Sequence, residues 1–313
     1  MKKSLLDLLV CPTCLPREIP LKGVVYESDD GDILSGHLLC KSCGSKYDID
    51  DGIAVLLPQS ALKASPSQNR YEEKHVISSY LWSHYADVFG VPDANDAYSI
   101  WASHLSYNAG IAIDAGCSVG RFTFELNKKS DFTIGLDRSF SFIRLARKLL
   151  KTRNLKFPMI TEGHLSEQRS ITIPNGWDST KVEFIVGDAL ALPFYRGSFT
   201  LISSLNLLDK VPKPLRHLTE INRIAKKRGA VFLFSDPFSW SAESAEEKDW
   251  LGGKTEGEYT GRGIENVSLL IKGKYGVMHP PWTIVKEGFV SWKIRNHCNH
   301  YEMIRSEFIV SKR

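Results

Sequence analysis

The stretch AIDAGCSVGRFTFEL, residues 112–126, decides the fold, because an apolar run ends in an acid, a glycine turn and a helical pattern. A dinucleotide-binding turn needs G-x-G-x-x-G, but a serine and an arginine stand where its second and third glycines belong. The nucleotide-phosphate motif G-x-x-x-x-G-K-[ST] is also missing from the stretch. The sequence instead reads D-x-G-x-x-x-G, and this turn favours a ligand without phosphates.

The same stretch begins a regular alternation of strands and helices. Apolar runs follow in FTIGLD, VEFIVGDA, FTLISSLNLL and AVFLFSDP, and helical patterns lie between them in SFSFIRLARKLLKT and PLRHLTEINRIAKKRG. Strands that alternate with helices of about 10–15 residues predict an α/β fold with a Rossmann-like, doubly wound and mainly parallel sheet. A leading helix is predicted in RYEEKHVISSYLWSHYADVFG, and two stretches, near 161–180 and from Asp236 to about 280, interrupt the pattern.

Acidic residues stand at the ends of three successive predicted strands: Asp114, Asp137 and Asp188. Each one alone is typical of a turn or a helix cap, but the set favours S-adenosylmethionine (SAM), which carries an ammonium, a carboxylate and a sulfonium. We expect Asp114 to hold the ammonium and Asp137 to accept the ribose hydroxyls, as an acid about 20 residues on does in dinucleotide folds. Asp188 is then placed for the adenine amino group, with Ala189 against the ring.

The turn itself completes the predicted cofactor site. Gly116 lets the backbone approach the ligand, and Gly120 lets the helix pack closely on the strand. Cys117 belongs to this cofactor loop, where we expect it to pack rather than to react.

Residues beyond the last two predicted strands are candidates for the methyl-acceptor side, because ligands bind past the carboxyl ends of parallel strands. The candidate catalytic residues are Asn206, Asp209, Asp236 and Trp240. Trp250 with the Gly252–Gly253 pair is a candidate lid, and Tyr80, His84 and Tyr85 of the leading helix are candidates for the opposite wall. For these aromatic residues and for Asp209, core packing and helix capping are the alternative interpretations.

Four of the six cysteines form two C-x-x-C pairs, Cys11 with Cys14 and Cys40 with Cys43. Two such pairs can close a four-thiolate tetrahedral site that suits one structural zinc ion, although redox pairs or buried cysteines are the alternative. We therefore predict a zinc-ribbon domain over residues 1–58, a proline-punctuated linker over 59–70 and a SAM-dependent domain over 71–313.

The ribbon resembles the small zinc-ribbon family that activates tRNA and protein methyltransferases, through LLDLLVCPTC at its front and LLCKSCGSKYDIDDGIAVLLP at its back. This resemblance implies a structural or partner-docking module without chemistry of its own.

The remainder resembles class I SAM-dependent methyltransferases, and more narrowly the C-terminal methyltransferase domain of ovothiol synthases. The similar segments include AIDAGCSVGRFTFEL, VEFIVGDALALP, SDPFSWSAE with DWLGG, and FVSWKIRNHCNHYEMIRSEFIVSKR. The resemblance implies N-methylation of a mercaptohistidine. A zinc ribbon stands where those synthases carry an iron-dependent module.

These observations favour a methyltransferase that modifies a nitrogen of a small, thiol-histidine-like or related amino-acid-derived acceptor. One alternative is an RNA base methyltransferase that uses the ribbon for docking, and another is a non-catalytic scaffold. Residues 1–60 hold six Lys and Arg against nine Asp and Glu, a net charge of −3, which disfavours RNA as the partner of the ribbon.

Composition and cysteine spacing indicate where in the cell the protein resides. The chain has 313 residues and a net charge of +4, and its apolar runs are shorter than the ~20 residues of a membrane span. Paired thiols of the metal-binding type indicate a reducing compartment, so we expect a cytoplasmic protein, with a protein partner for the ribbon as a further expectation.

Overall fold

The computed structural model describes residues 1–61, 70–92 and 94–313. The strands in these ranges are β1 (Leu21–Asp29), β2 (Asp32–Cys40), β3 (Lys46–Asp50), β4 (Ile53–Leu56), β5 (Ile111–Ala115), β6 (Phe132–Asp137), β7 (Asn154–Glu162), β8 (Leu165–Thr172), β9 (Val182–Gly187), β10 (Leu201–Leu205), β11 (Val231–Asp236), β12 (Thr283–His297) and β13 (His300–Lys312).

The α-helices of the same ranges are α1 (Lys74–Tyr85), α2 (Ala97–Ser103), α3 (Arg121–Asn127), α4 (Phe140–Thr152), α5 (Pro214–Ile224) and α6 (Gly263–Ile271). Short 3-10 turns occupy Lys3–Leu8, Pro12–Cys14, Gln59–Ala61, Arg70–Glu72, Ser179–Lys181, Leu208–Lys210, Glu247–Asp249 and Lys274–Gly276. No described helix has both the length and the apolar character that crossing a membrane requires.

The predicted parallel sheet is confirmed. Its strands lie in the order β9-β6-β5-β10-β11, and each neighbouring pair is parallel. All six residues of β9 are buried, as expected for a strand that is covered on both faces. Local signals set the helix starts: the Ser139 hydroxyl caps α4 by accepting from the Phe142 N–H, and Pro214 opens α5.

The sheet continues past both ends of this parallel core. At one end β13 pairs antiparallel with β11, and β12 lies outermost. At the other end β4, the last strand of the ribbon, pairs parallel with β9, so that Val55 lies opposite Val186 and Leu56 opposite Gly187. Within the ribbon, each strand from β1 to β4 pairs antiparallel with the next. The ribbon is therefore hydrogen-bonded into the sheet of its own chain.

Charged groups also join the ribbon to the rest of the chain. The Arg147 guanidinium of α4 donates to Glu183 of β9 and lies 3.1 Å from Asp32 of β2. Glu183 accepts a second hydrogen bond, at 2.5 Å, from the backbone N–H of Lys2. At the other side of the ribbon, Glu18 lies 3.0 Å from Arg223 of α5. The ribbon therefore contacts the sheet and both flanking helices, α4 and α5.

Some segments differ from their sequence pattern. SLLDLL, which has helical periodicity, forms a 3-10 turn, and the polar insertion near 161–180 forms most of the two-stranded β7–β8 hairpin and the turn after it. In the predicted linker 59–70, residues 62–69 lie outside the described ranges. The described residues at its two ends belong to the short 3-10 turns Gln59–Ala61 and Arg70–Glu72.

Candidate functional site

A cavity of about 800 Å³ opens at the carboxyl ends of the parallel strands. The loops after β5, β6, β9 and β10 form its floor, and helix α1, the hairpin β12–β13 and the segment after the ribbon form its walls. The lining includes Leu57, Pro58, Ala61, Tyr80, His84, Tyr98, Asp114, Gly116, Cys117, Ser118, Asp137, Arg138, Asp188, Ala189, Asn206, Lys210, Arg216, Glu243, Trp292 and Glu302. The three acids predicted from the strand ends therefore share one cavity.

Asp137 ends β6 at the edge of the cavity. Its carboxylate accepts hydrogen bonds of 2.8 Å from the backbone N–H groups of Ser118 and Ser139. These bonds tie the glycine turn to the start of α4 and fix the carboxylate. Burial raises the pKa of Asp137 to about 6.

Asp114 lies deeper, at the end of β5. It accepts hydrogen bonds of 2.8 Å from the hydroxyls of Thr123 on α3 and Ser203 on β10. Burial raises the pKa of Asp114 to about 6, so a neighbouring cation would favour its charged form. The side chain is held by two different elements, and its position does not depend on a loop.

Asp188 follows β9 and is paired with Arg138. The Arg138 guanidinium lies 3.3 Å from the Asp188 carboxylate and also donates to the carbonyl of Ala61. The second carboxylate oxygen of Asp188 accepts a 2.8 Å hydrogen bond from the Leu190 N–H. Asp188, the predicted ligand of the adenine amino group, is thus part of a network that reaches the segment after the ribbon.

The glycine turn is shaped by backbone geometry. Gly116 and Gly120 have positive φ angles of 82° and 85°, which glycine adopts without strain. A Cβ on Gly120 would come within 2.6 Å of Phe184, so this glycine permits close packing of α3 on the sheet. Cys117 is buried among apolar side chains, and burial raises the pKa of its thiol, so the thiolate is disfavoured.

Unpartnered polar atoms occur on three residues that line the cavity. Ser118 Oγ, Asn206 Oδ1 and His84 Nδ1 are buried and have no hydrogen-bond partner within the described ranges. Buried polar atoms are normally paired, and an unpaired one costs about 1–3 kcal/mol. The three atoms therefore fit a ligand rich in donors and acceptors, as SAM and an amino-acid-like acceptor are.

Four thiols of the ribbon form a separate cluster. The sulfur atoms of Cys11, Cys14, Cys40 and Cys43 all lie within 4.8 Å of one another. Cys11 Sγ lies 3.6 Å from Cys43 Sγ, and Cys14 Sγ lies 3.8 Å from Cys40 Sγ. A tetrahedron with Zn–S bonds of about 2.3 Å has edges of about 3.8 Å, so the thiols are spaced for zinc.

Comparisons with known proteins agree with this architecture. The family model described as "Trm112p-like protein" matches residues 2–52, and the one described as "Methyltransferase domain" matches residues 113–233. A UPF0434 protein of Nitrosococcus oceani is 32% identical over 68 residues, which are 22% of this chain and 97% of that protein. Through its ribbon the chain belongs to the family of this UPF0434 protein, and residues 113–233 match the methyltransferase-domain model.

The methyltransferase domain also has a curated relative. The demethylmenaquinone methyltransferase of Lactococcus lactis is 30% identical over 122 residues, which are 38% of this chain and 39% of the relative, so the similarity spans about two fifths of either protein. In a solved complex that contains the Haloferax volcanii Trm112 methyltransferase activator, the matching chain is 13% identical to this one. The match covers 78% of this chain and 96% of that chain, with a TM-score of 0.46. These comparisons do not show the resemblance to ovothiol synthases, and the thiol-histidine acceptor stays a prediction.

The candidate catalytic residues of the methyltransferase domain separate into two groups. Asn206 lines the cavity, whereas Asp209, Asp236 and Trp240 are outside the described lining. Asp236 accepts from the N–H groups of Phe238 and Asp209, and Asp209 accepts from Ser239 and Lys210. The two acids therefore shape the loops after β10 and β11, as turn acids do.

Of the candidate lid and wall residues, some line the cavity and others do not. Trp240 stacks on Trp250 with ring centroids 6.1 Å apart, and Gly253 packs against Trp240, but the described lining includes none of the three. Tyr85 is buried, and its hydroxyl donates to the Val119 carbonyl. By contrast, Tyr80 and His84 line the cavity.

His84 lies between two tyrosines: its ring is stacked on Tyr80 with the centroids 5.8 Å apart, and it is tilted against Tyr98 with the centroids 4.7 Å apart. Burial, assisted by the Arg121 charge, lowers the pKa of His84 to about 3, so the ring is neutral near pH 7. Tyr98, together with Arg138, Trp292 and Glu302, was missed by the sequence reasoning. The position of Arg138 directly after Asp137 could have indicated that it lines the cavity. No sequence pattern indicated Tyr98 or the hairpin residues Trp292 and Glu302.

Proposed function

We propose that the protein is a SAM-dependent methyltransferase that N-methylates a small, amino-acid-derived acceptor of the thiol-histidine type. The observation that carries the proposal is the meeting of Asp114, Asp137 and Asp188 in one cavity beside a positive-φ glycine turn. The match to the methyltransferase family over residues 113–233 supports the same reaction class.

When bound, SAM supplies an electrophilic methyl group, and the protein has to align the acceptor with it and exclude water. Asp137 would accept the ribose hydroxyls and Asp114 would face the ammonium, either directly or through water. Gly116 keeps side-chain bulk away from the ligand. Ala189 would pack against the adenine ring.

The walls of the cavity favour an acceptor that is both planar and zwitterionic. Tyr80, His84 and Tyr98 offer aromatic surface for a flat ring such as imidazole, and the neutral His84 ring is suited to orient the acceptor by a hydrogen bond. Carboxylates and cations both reach the lining, and opposite charges suit the ammonium and carboxylate of an amino acid. These are Glu243 and Glu302, and Lys210 and Arg216.

An RNA base is the second candidate acceptor, because a Trm112p-like domain favours docking of another macromolecule. The acidic balance of residues 1–60 argues against RNA on the ribbon, since RNA binding depends on basic surface. A labelled methyl donor, incubated with thiolated and plain histidines, other imidazoles and total RNA, separates the candidates by the fraction that gains label.

Cofactor binding is tested by the Asp137→Ala variant in titration calorimetry with SAM. We expect binding to be lost in this variant and to persist in Asp178→Ala, which removes an exposed acid outside the described lining. Unchanged SAM affinity in Asp137→Ala would overturn the assignment.

A further inference from the structure

The segment that follows the ribbon reaches the cofactor side of the cavity. Strands β4 and β9 are parallel neighbours, so their carboxyl ends leave the sheet side by side. Asp188 follows β9, and Leu57 and Pro58 follow β4, and all three line the cavity. The 3-10 turn Gln59–Ala61, called here the post-ribbon turn, continues this wall through Ser60 and Ala61.

The post-ribbon turn is tied backwards to the cysteine cluster. The Gln59 N–H donates to the Thr13 hydroxyl at 3.3 Å, and Thr13 lies between the ligand candidates Cys11 and Cys14. The same hydroxyl lies 2.8 Å from the Tyr47 hydroxyl, which lies 3.1 Å from Cys11 Sγ. A chain of polar contacts therefore runs from a thiol of the cluster to the start of the turn.

The post-ribbon turn is tied forwards to the cofactor site by one side chain. Arg138 donates to the Ala61 carbonyl at the end of the turn, and its guanidinium also pairs with Asp188 at 3.3 Å. The arginine and Asp188 are only partly exposed, at 21% and 13%, so solvent screens the pair incompletely. Arg138 directly follows Asp137, the predicted ribose ligand.

We propose that Arg138 is a positioning residue that sets the post-ribbon turn and Asp188 for the cofactor, and that the cysteine knuckle controls cofactor affinity through Thr13 and this turn. The proposal rests on the proposed function, because it takes SAM as the occupant of the cavity. Coupling of this kind is reciprocal: whatever the intact ribbon adds to SAM affinity, bound SAM adds to the stability of the ribbon.

Titration calorimetry with SAM tests the proposal on zinc-loaded, full-length protein. Thr13→Val keeps the side-chain shape and removes the hydroxyl, and we expect roughly two- to tenfold weaker SAM binding, as for the loss of neutral hydrogen bonds. Arg138→Met removes a charged donor, and we expect a loss of at least about tenfold. Thr172→Val and Arg169→Met, which remove exposed groups of hairpin β7–β8, are the matched controls and should bind as the wild type does.

The double variant distinguishes positioning from general damage. If Thr13 acts through the post-ribbon turn and Arg138, the Thr13→Val/Arg138→Met protein binds SAM no more weakly than Arg138→Met alone. Saturating SAM should also slow zinc transfer to a chromogenic chelator in the wild type and not in Arg138→Met. Fully additive losses, or wild-type affinity in Thr13→Val at unchanged zinc content, would overturn the proposal. A wild-type protein that binds no SAM would instead overturn the proposed function.

Discussion

Arg147 offers a direct test of the buried charge cluster at the junction between the ribbon and the methyltransferase domain. Its side chain is 3% exposed and lies between Glu183, which is 0% exposed, and Asp32 of the ribbon, which is 26% exposed. The Arg147→Met variant retains an apolar stem and removes the guanidinium. The Glu183 carboxylate is then left buried without its cationic partner.

The size of the effect follows from this burial. Removing one partner of a buried ion pair costs about 3–5 kcal/mol, because the remaining charge stays desolvated. At roughly 2–4 °C for each kcal/mol in a chain of this class, the melting temperature should fall by on the order of 10 °C. Lys151→Met is the control on the same helix: its pair with Asp51 spans 3.5 Å with side chains 39% and 81% exposed, and such pairs contribute about 0–1 kcal/mol.

Thermal unfolding followed by circular dichroism measures both variants. We expect Arg147→Met to melt well below Lys151→Met. The double variant Arg147→Met/Glu183→Gln should recover most of the loss, since the only charge then left without Arg147 is Asp32, which is 26% exposed. If the two single variants melt together, or if neutralising Glu183 restores nothing, the buried Arg147–Glu183 pair does not stabilise the protein as described.

Three further predictions concern the two sites. Metal analysis of reduced protein should find one zinc ion per chain. The zinc should be lost in Cys40→Ser and retained in Cys298→Ser, because the thiol of Cys298 is exposed and outside the cluster. Absence of zinc from the wild type would contradict the ribbon site. SAM affinity measured by calorimetry should rise from about pH 5 to about pH 7 and then level off, because the pKa of Asp137 is raised to about 6 and ligand donors favour its charged form; a flat profile would refute this. Asn206 has a positive φ of 55°, so Asn206→Gly should melt higher than Asn206→Ala by the equivalent of about 1 kcal/mol. Both variants should still bind SAM and lose methyl transfer. Full transfer activity in either variant would remove Asn206 from the acceptor site.

The parts of the fold that follow from short-range patterns were predicted correctly. The five parallel strands are mainly apolar runs, and each C-x-x-C pair is a local signal for a thiolate knuckle. Asp114, Asp137 and Asp188 line one cavity for a topological reason, since the ends of parallel strands meet at one edge of the sheet. Their ligands stay predictions.

The remaining features depend on long-range packing that a single sequence does not encode visibly. Nothing in IAVL, the sequence of β4, indicates a partner strand far along the chain. Asp209 and Asp236 follow strands just as Asp137 does, but their carboxylates accept backbone N–H groups of neighbouring loops. A sequence pattern does not distinguish an acid that faces a cavity from one that closes a turn.

The pairing of β4 with β9 constrains the order in which the chain assembles. Contacts among β1 to β4 are between neighbours in sequence, so the metal-bound ribbon can form early during synthesis. Val55, however, has to wait for Val186 before the edge of β4 is covered. Until then the ribbon presents an open strand edge, which is a template for pairing with other chains. We therefore expect a stage during synthesis at which the ribbon has folded on the ribosome while the edge of β4 is still unpaired. The protein should be most prone to aggregate at that stage.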